Sequence, residues 1–133
     1  MNQNENITRQ SFPAPGLRVR LGKVSTNDQY KPLIVFRFNP QDKNKDSNQP
    51  IFQIHLQTIG KLGKDEIWET TEPVSVEATE DILCSSTEHL LAIHMTTLVD
   101  ANTDIAATTY AMYSKLFTEA SNRGFRDVVR TWN

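Results

Sequence analysis

The side chains in this sequence that could do chemistry are few, and arginines lead them. Arg130 and Trp132 stand two residues apart near the end of the chain, a spacing that puts both on one face of a strand. There a guanidinium can hold a carboxylate in a bidentate fork, and a neighbouring indole would exclude water and strengthen the pair. Arg126 and Arg37 are the alternatives for the same anion-binding task. The competing role for Arg130 is structural, an ion pair with a strand carboxylate such as Glu69 or Glu72.

His94 is the remaining candidate as a base or ligand. It lies in a strand with Leu90, Ala92 and Thr96 on its side, so a hydrogen-bonded core or interface histidine is the competing reading. His55 shares a polar face with Gln53 and Gln57, which reads as a solvated or subunit-contact face. Cys84 has nothing adjacent that would lower its pKa and reads as a small buried hydrophobe. As the single cysteine it excludes an intramolecular disulfide framework and any CxxC metal site, in agreement with a reducing, cytoplasmic compartment. Glu66, Glu69, Glu72, Glu77, Glu80 and Asp81 read as a charged outer face and not as an acid/base pair. Trp68 and Trp132 also read as packing anchors. There is no G-x-S-x-G serine and no glycine-rich phosphate loop, so neither a cofactor nor a metal is expected.

The elements that must position these groups are clearest from Asp81 to Asn133, which reads as two strands, a long amphipathic helix and a final strand. Between Asn102 and Gly124 the positions Ile105, Thr109, Met112, Tyr113, Leu116 and Ala120 recur at helical spacing, so the helix covers a sheet. Asn102 or Thr103 can cap it, Asp104 suits its first turn, and Gly124 stops it. Phe125 then returns to the sheet.

Upstream, Met1 to Gly16 reads as a flexible arm and residues 17–133 as a single domain. LRVRLGKV, Leu17 to Val24, is an edge strand with Leu17, Val19 and Leu21 on the buried side and Arg18 and Arg20 outward. Pro32 to Phe38 is a near-continuous apolar run, an interior strand with Arg37 as its one charge. The hydrophilic loop Asn39 to Pro50 could join two antiparallel strands. Ile51 to Ile59 alternates, with Phe52, Ile54 and Leu56 on one face. Ile67 to Val76 is a strand interrupted at Pro73, which suggests an edge or a bulge. The next pair, Asp81 to Ser85 and Leu90 to Val99, is joined by the turn Ser86 to His89. The fold class is therefore α+β, a mostly antiparallel sheet covered by one long helix.

Composition narrows the function classes. The chain has 133 residues, 38% of them hydrophobic, and a net charge of −2, which fits one compact domain. Its basic residues are scattered singly without interleaved aromatics, which argues against nucleic acid. No apolar run approaches the roughly 18 residues a spanning helix needs, and the polar start has no signal-peptide core.

Half of the chain carries a resemblance. Ile67-Trp68-Glu69 is followed by Pro73-Val74 and a strand pair. A helix with Ala106-Ala107-Thr108 and Tyr110 to Phe117 then leads into Gly124-Phe125, and the chain closes on Arg130-Thr131-Trp132-Asn133. This order resembles the N-terminal domain of the chorismatase family, the chorismate-hydrolysing and 3-hydroxybenzoate-forming enzymes, some of them labelled pteridine-dependent dioxygenase-like. Its features there are a "VW…PV" strand, a "Y…LF…GY" helix and an "RxWNY" strand. Both domains of that family look like the YjgF/RidA superfamily, whose members form trimers with ligand clefts between subunits. In a chorismatase a second domain carries the substrate-binding and catalytic residues. This chain stops at Asn133, so the resemblance transfers none of them and does not imply chorismatase activity for this chain alone. RidA-type imine deaminases rely on an arginine at the start of the strand after the helix, where Arg126 sits, but the surrounding motif and the glutamate-bearing closing strand are missing.

Two readings follow. One is a non-catalytic relative of the chorismatase N-terminal domain that assembles as a homotrimer or with a separately encoded catalytic partner. The other is a small RidA-type enzyme that binds a carboxylate metabolite in an inter-subunit cleft. The absence of an acid, base and nucleophile set favours the first. Oligomerisation is expected because Leu33 to Phe38 and Phe52 to Leu56 offer more apolar surface than one helix can bury. Met1 to Gly16 and Lys43 to Gln49 are the expected mobile segments.

Overall fold

A computed structural model describes residues 16–24, 29–38, 49–54, 64–128 and 131. The arm upstream of Gly16, the segment 43–48, His55, Arg130 and Trp132 lie outside the described residues. Seven strands precede one helix: β1 Arg18–Gly22, β2 Lys31–Arg37, β3 Ile51–Gln53, β4 Asp65–Thr70, β5 Ser75–Ala78, β6 Ile82–Ser86, β7 Leu91–Met95 and α1 Ile105–Asn122. The class is α+β, as the sequence implies. The strands divide into a four-stranded sheet in the order β1-β4-β2-β3 and a three-stranded sheet in the order β5-β6-β7.

Pro73 marks the division. It cannot donate to a ladder, β4 ends at Thr70, and the chain re-enters strand at Ser75 in the other sheet. The apolar run of β2 fits its place between β4 and β3, where Leu33, Ile34, Val35 and Phe36 are all buried. β3 pairs with β2 in parallel, Val35 opposite Ile51 and Phe36 opposite Phe52. This corrects the antiparallel expectation: the connection 38–50 is long enough for the crossover that a parallel pair requires.

Because successive side chains alternate between faces, the registers assign each face a task. Ile34, Phe36, Phe52 and Trp68 share one face of the four-stranded sheet, and the core forms there with Leu33 and with Ala92 of β7. The Phe36 and Phe52 rings meet edge to face, with centroids 5.8 Å apart. Ala92, Leu83 and His94 share the face of the second sheet that meets this core. The opposite face carries Glu77, Cys84 and Ile93, and α1 reaches it through Arg123, whose Nη2 donates to Glu77 Oε2 at 2.9 Å.

The helix starts one residue later than expected. Asp104 is its cap, accepting from the Ala107 N–H at 3.0 Å. Asn102 and Thr103 are already committed to Asp100, which accepts the Asn102 N–H at 2.8 Å on its side chain and the Thr103 N–H at 3.2 Å on its carbonyl. Gly124 stops the helix as expected. With φ at +84° it allows Phe125 N–H to reach Ala120 O at 2.9 Å and its own N–H to reach Ser121 O at 3.0 Å, a Schellman ending. Residues 125–128 join neither sheet, so no return to the sheet occurs along the described part of the closing segment. Met112, Tyr113, Leu116 and Ala120 are half-buried on the inner side, whereas Ile105 and Thr109, expected on the same face, are exposed. Among the described residues no helix is long and apolar enough to cross a membrane.

Candidate functional site

The face of the four-stranded sheet opposite the core is built by alternation in three strands. Arg18 and Arg20 of β1, Asp65, Ile67 and Glu69 of β4, and Val35 and Arg37 of β2 all point to it. Glu69 is 1% exposed and is held at both oxygens. Arg18 Nε donates to Oε2 at 2.7 Å, while Arg20 Nε and Nη2 donate to Oε1 at 2.9 and 2.6 Å. Burial alone would raise the Glu69 carboxyl, but the bonds from Arg20 and Arg18 outweigh it and hold it below the usual carboxylate range. The Arg18 guanidinium lies 3.6 Å from the centroid of the Tyr30 ring, a cation–π contact. Arg37 donates to Asp65 through Nη2 at 2.9 Å and through Nε at 3.3 Å.

Two sequence expectations are corrected here. Val19 and Leu21, expected on the buried side of β1, are 51% and 67% exposed, and the arginines are the better covered residues. The reason is Glu69, which draws Arg18 and Arg20 down onto the sheet while no layer among the described residues covers the apolar face of β1. Glu69 is likewise not part of a charged outer face. Glu66 is also committed, accepting from Trp68 Nε1 at 2.7 Å.

A second cluster lies where the two sheets meet. Lys31, Pro32, Pro50, Pro73, Val74 and Val76 line an open, mostly apolar depression of about 340 Å³. Glu72, next to Pro73, has Oε1 2.5 Å from His89 Nδ1, so the inter-sheet connection is tied to the β6–β7 turn. Thr87 shapes that turn by accepting from the N–H groups of His89 at 3.1 Å and Leu90 at 3.0 Å. The Thr87 hydroxyl and then the His89 ring lower the Glu72 carboxyl, and Glu72 in turn raises the His89 imidazole. When the ring is neutral, a carboxylate on Nδ1 favours the Nδ1–H tautomer; when it is protonated, Nε2 becomes a second donor.

The sequence candidates do not converge along the described chain. Arg37 stands opposite Gln53, on the sheet face that also holds Glu69 and lies away from the Phe36–Phe52 contact. His94 stacks on Phe52 at 4.9 Å with the rings 19° apart, on the core side. Arg126 is exposed beyond the end of the helix. Cys84 is buried, and burial raises its thiol pKa. Among the described residues no group of three or more His, Cys, Asp or Glu could hold a metal ion. Sequence reasoning missed the Arg18–Glu69–Arg20 cluster and the Glu72–His89 pair. Alternation within RVRLG and DEIWET could have grouped the charges of each strand by face, but the register that joins them across 51 and 49 positions is not in the sequence.

No curated protein and no solved structure matches the chain. A family model does, over residues 66–133, described as Chorismatase FkbO/Hyg5-like, N-terminal. That stretch holds nearly all of β4, the three-stranded sheet and the helix, so the arginines of β1 and β2 face it from outside the matched segment. Since the match covers just over half of the sequence, the chain belongs to the FkbO/Hyg5-like chorismatase N-terminal domain family.

Proposed function

We propose that this chain is an assembly module, non-catalytic by itself, that works in the cytoplasm as a homo-oligomer, most simply a trimer of the kind the YjgF/RidA superfamily forms. The observation that carries the reading is the state of β1. Val19 and Leu21 extend the core face of the four-stranded sheet yet are more than half exposed, and the far edge of β1 has no strand partner among the described residues. An apolar sheet face at an open edge is a surface that a second subunit would cover. The arginines nearest to it are engaged, Arg18 and Arg20 by Glu69 and Arg37 by Asp65, which suits packing better than ligand capture. Light scattering tests this: the wild type has a mass of three times 15.1 kDa, and Leu21→Lys lowers it. A monodisperse monomer at micromolar concentration refutes the reading.

A small carboxylate metabolite in an inter-subunit cleft is the second reading, and one observation favours it. Arg126 is exposed and pairs with no carboxylate among the described residues, so in the single chain its guanidinium is available to an anion. Arg126→Met would then remove the thermal shift produced by carboxylate ligands without changing the mass. A separately encoded catalytic partner would occupy the same β1 face.

A further inference from the structure

We infer that the depression between the two sheets is a binding site for a compact carboxylic acid with an apolar body, held through Lys31. Three prolines make the hollow, each at a place where a ladder breaks off. Pro32 stands at the irregularity in the β2–β4 register, Pro73 separates β4 from β5, and Pro50 leads into β3. Pro50 is fully buried and its carbonyl accepts from the Val35 N–H at 2.9 Å, so that wall is tied to β2. Val74 and Val76 complete the lining, in which Lys31 carries the one charge among the described residues. Proline rings fix φ and valines restrict χ1, so these walls lose little freedom when something packs on them. At about 340 Å³ the hollow is at the small end of ligand pockets.

Two polar groups around the hollow lack a counterpart. Lys31 is exposed, and no carboxylate pairs with it among the described residues. Ser85 stands directly opposite Val76 across the β5–β6 ladder, so both side chains are on one face. Ser85 is fully buried, and its Oγ has no hydrogen-bond partner among the described residues. An orphan hydroxyl behind the wall of an apolar hollow costs stability that alanine would recover, and such a cost is expected where a ligand supplies the partner. An ammonium and a hydroxyl both donate. The molecule that answers them therefore brings acceptor oxygens and, for the prolines and valines, an apolar body. A neutral apolar molecule would leave Lys31 unanswered, and a small inorganic anion would leave the walls uncovered. Glu72, one residue from Pro73, is turned to His89 and the Thr87 hydroxyl, so its charge is compensated there. The site lies within one chain and does not depend on assembly at β1.

Isothermal titration calorimetry and amide chemical-shift mapping with cyclohexanecarboxylate test this, cyclohexylmethanol supplying the body without the charge and acetate the charge without the body. Cyclohexanecarboxylate binds about tenfold or more tightly than either, and the shifts centre on the amides of Val74 and Val76. Lys31→Met, at an exposed position, keeps the melting temperature and weakens binding about tenfold. Ser85→Ala weakens it too, while raising the stability of the ligand-free protein. Leu21→Lys, which lowers the mass, leaves this binding unchanged, so failure of the assembly reading and failure of this one are told apart. Equal binding of acid and alcohol overturns the inference, as does affinity unchanged in Lys31→Met or in Ser85→Ala, or no saturable binding up to the solubility of the acid. Shifts that centre instead on Arg126 and vanish in Arg126→Met overturn it and favour the inter-subunit cleft.

Discussion

Replacing Glu69 by glutamine keeps the shape of the side chain and removes the charge on which two arginines converge. Removing one partner of a buried ion pair leaves the other uncompensated, at a cost of about 3–5 kcal/mol. The Arg18 and Arg20 side chains are 38% and 28% exposed, so water takes up part of the loss and the expected cost falls to about 2 kcal/mol. For a chain of 133 residues that is a drop in Tm of about 8 °C. Arg20→Met costs less than Glu69→Gln, since Arg18 remains on the carboxylate.

Urea unfolding at several pH values is the assay. The folded-state pKa of Glu69 lies below its ordinary 4.5, so its contribution is fully present above 4.5 and is lost as pH falls through that value toward the folded one. The gap between wild type and Glu69→Gln is therefore constant from pH 7 to 5 and closes at lower pH. An unchanged Tm at pH 7 refutes the reasoning, as does a gap that persists undiminished at pH 3. A gap abolished by about 1 M salt would mark the cluster as a screened surface pair.

Three further outcomes follow from the described residues. Ser85 is fully buried and its Oγ has no hydrogen-bond partner among them, so Ser85→Ala raises stability by about 1 kcal/mol in denaturant unfolding. Asp104→Ala removes the helix cap and lowers stability by about 1 kcal/mol, with loss of helical ellipticity. The His89 pKa, raised by Glu72, returns to its ordinary range in Glu72→Gln when the ring is titrated by NMR. The sign is fixed: the bridge contributes while Glu72 is ionised and His89 protonated, and the contribution is lost as pH rises through the folded His89 pKa or falls through the folded Glu72 pKa.

What was legible in the sequence is what depends on neighbours within a few residues. The helix from periodicity, its stop at Gly124, the interior character of β2, the break at Pro73 and the edge position of β1 all rest on local signals. The orientation of β1 was not legible, because burial of Val19 and Leu21 or of Arg18 and Arg20 is decided by Glu69, 49 to 51 positions away. The parallel sense of β3 depends on where the connection 38–50 runs, which its polar composition leaves open. Sequence could nominate Arg37 and His94 separately, but only the registers put them on opposite faces. The Glu72–His89 pair joins two loops 17 residues apart, each of which reads alone as an ordinary polar turn.

The helix has no fully buried residue, and it is moored by charge past its middle, Lys115 on Asp81, and at its C-terminal cap, Arg123 on Glu77. A free helix of this length is marginal in water, so α1 and the strands below it need not unfold together. Amide hydrogens of α1 will exchange through a sub-global opening that costs less than unfolding of β2 and β4. Salt will lower that opening energy, because the Lys115–Asp81 pair is about half exposed and Glu77 of the Arg123–Glu77 pair is open to solvent. Each opening uncovers Cys84, so the rate at which a thiol reagent modifies this one atom in the native protein is a clock for the detachment of the helix.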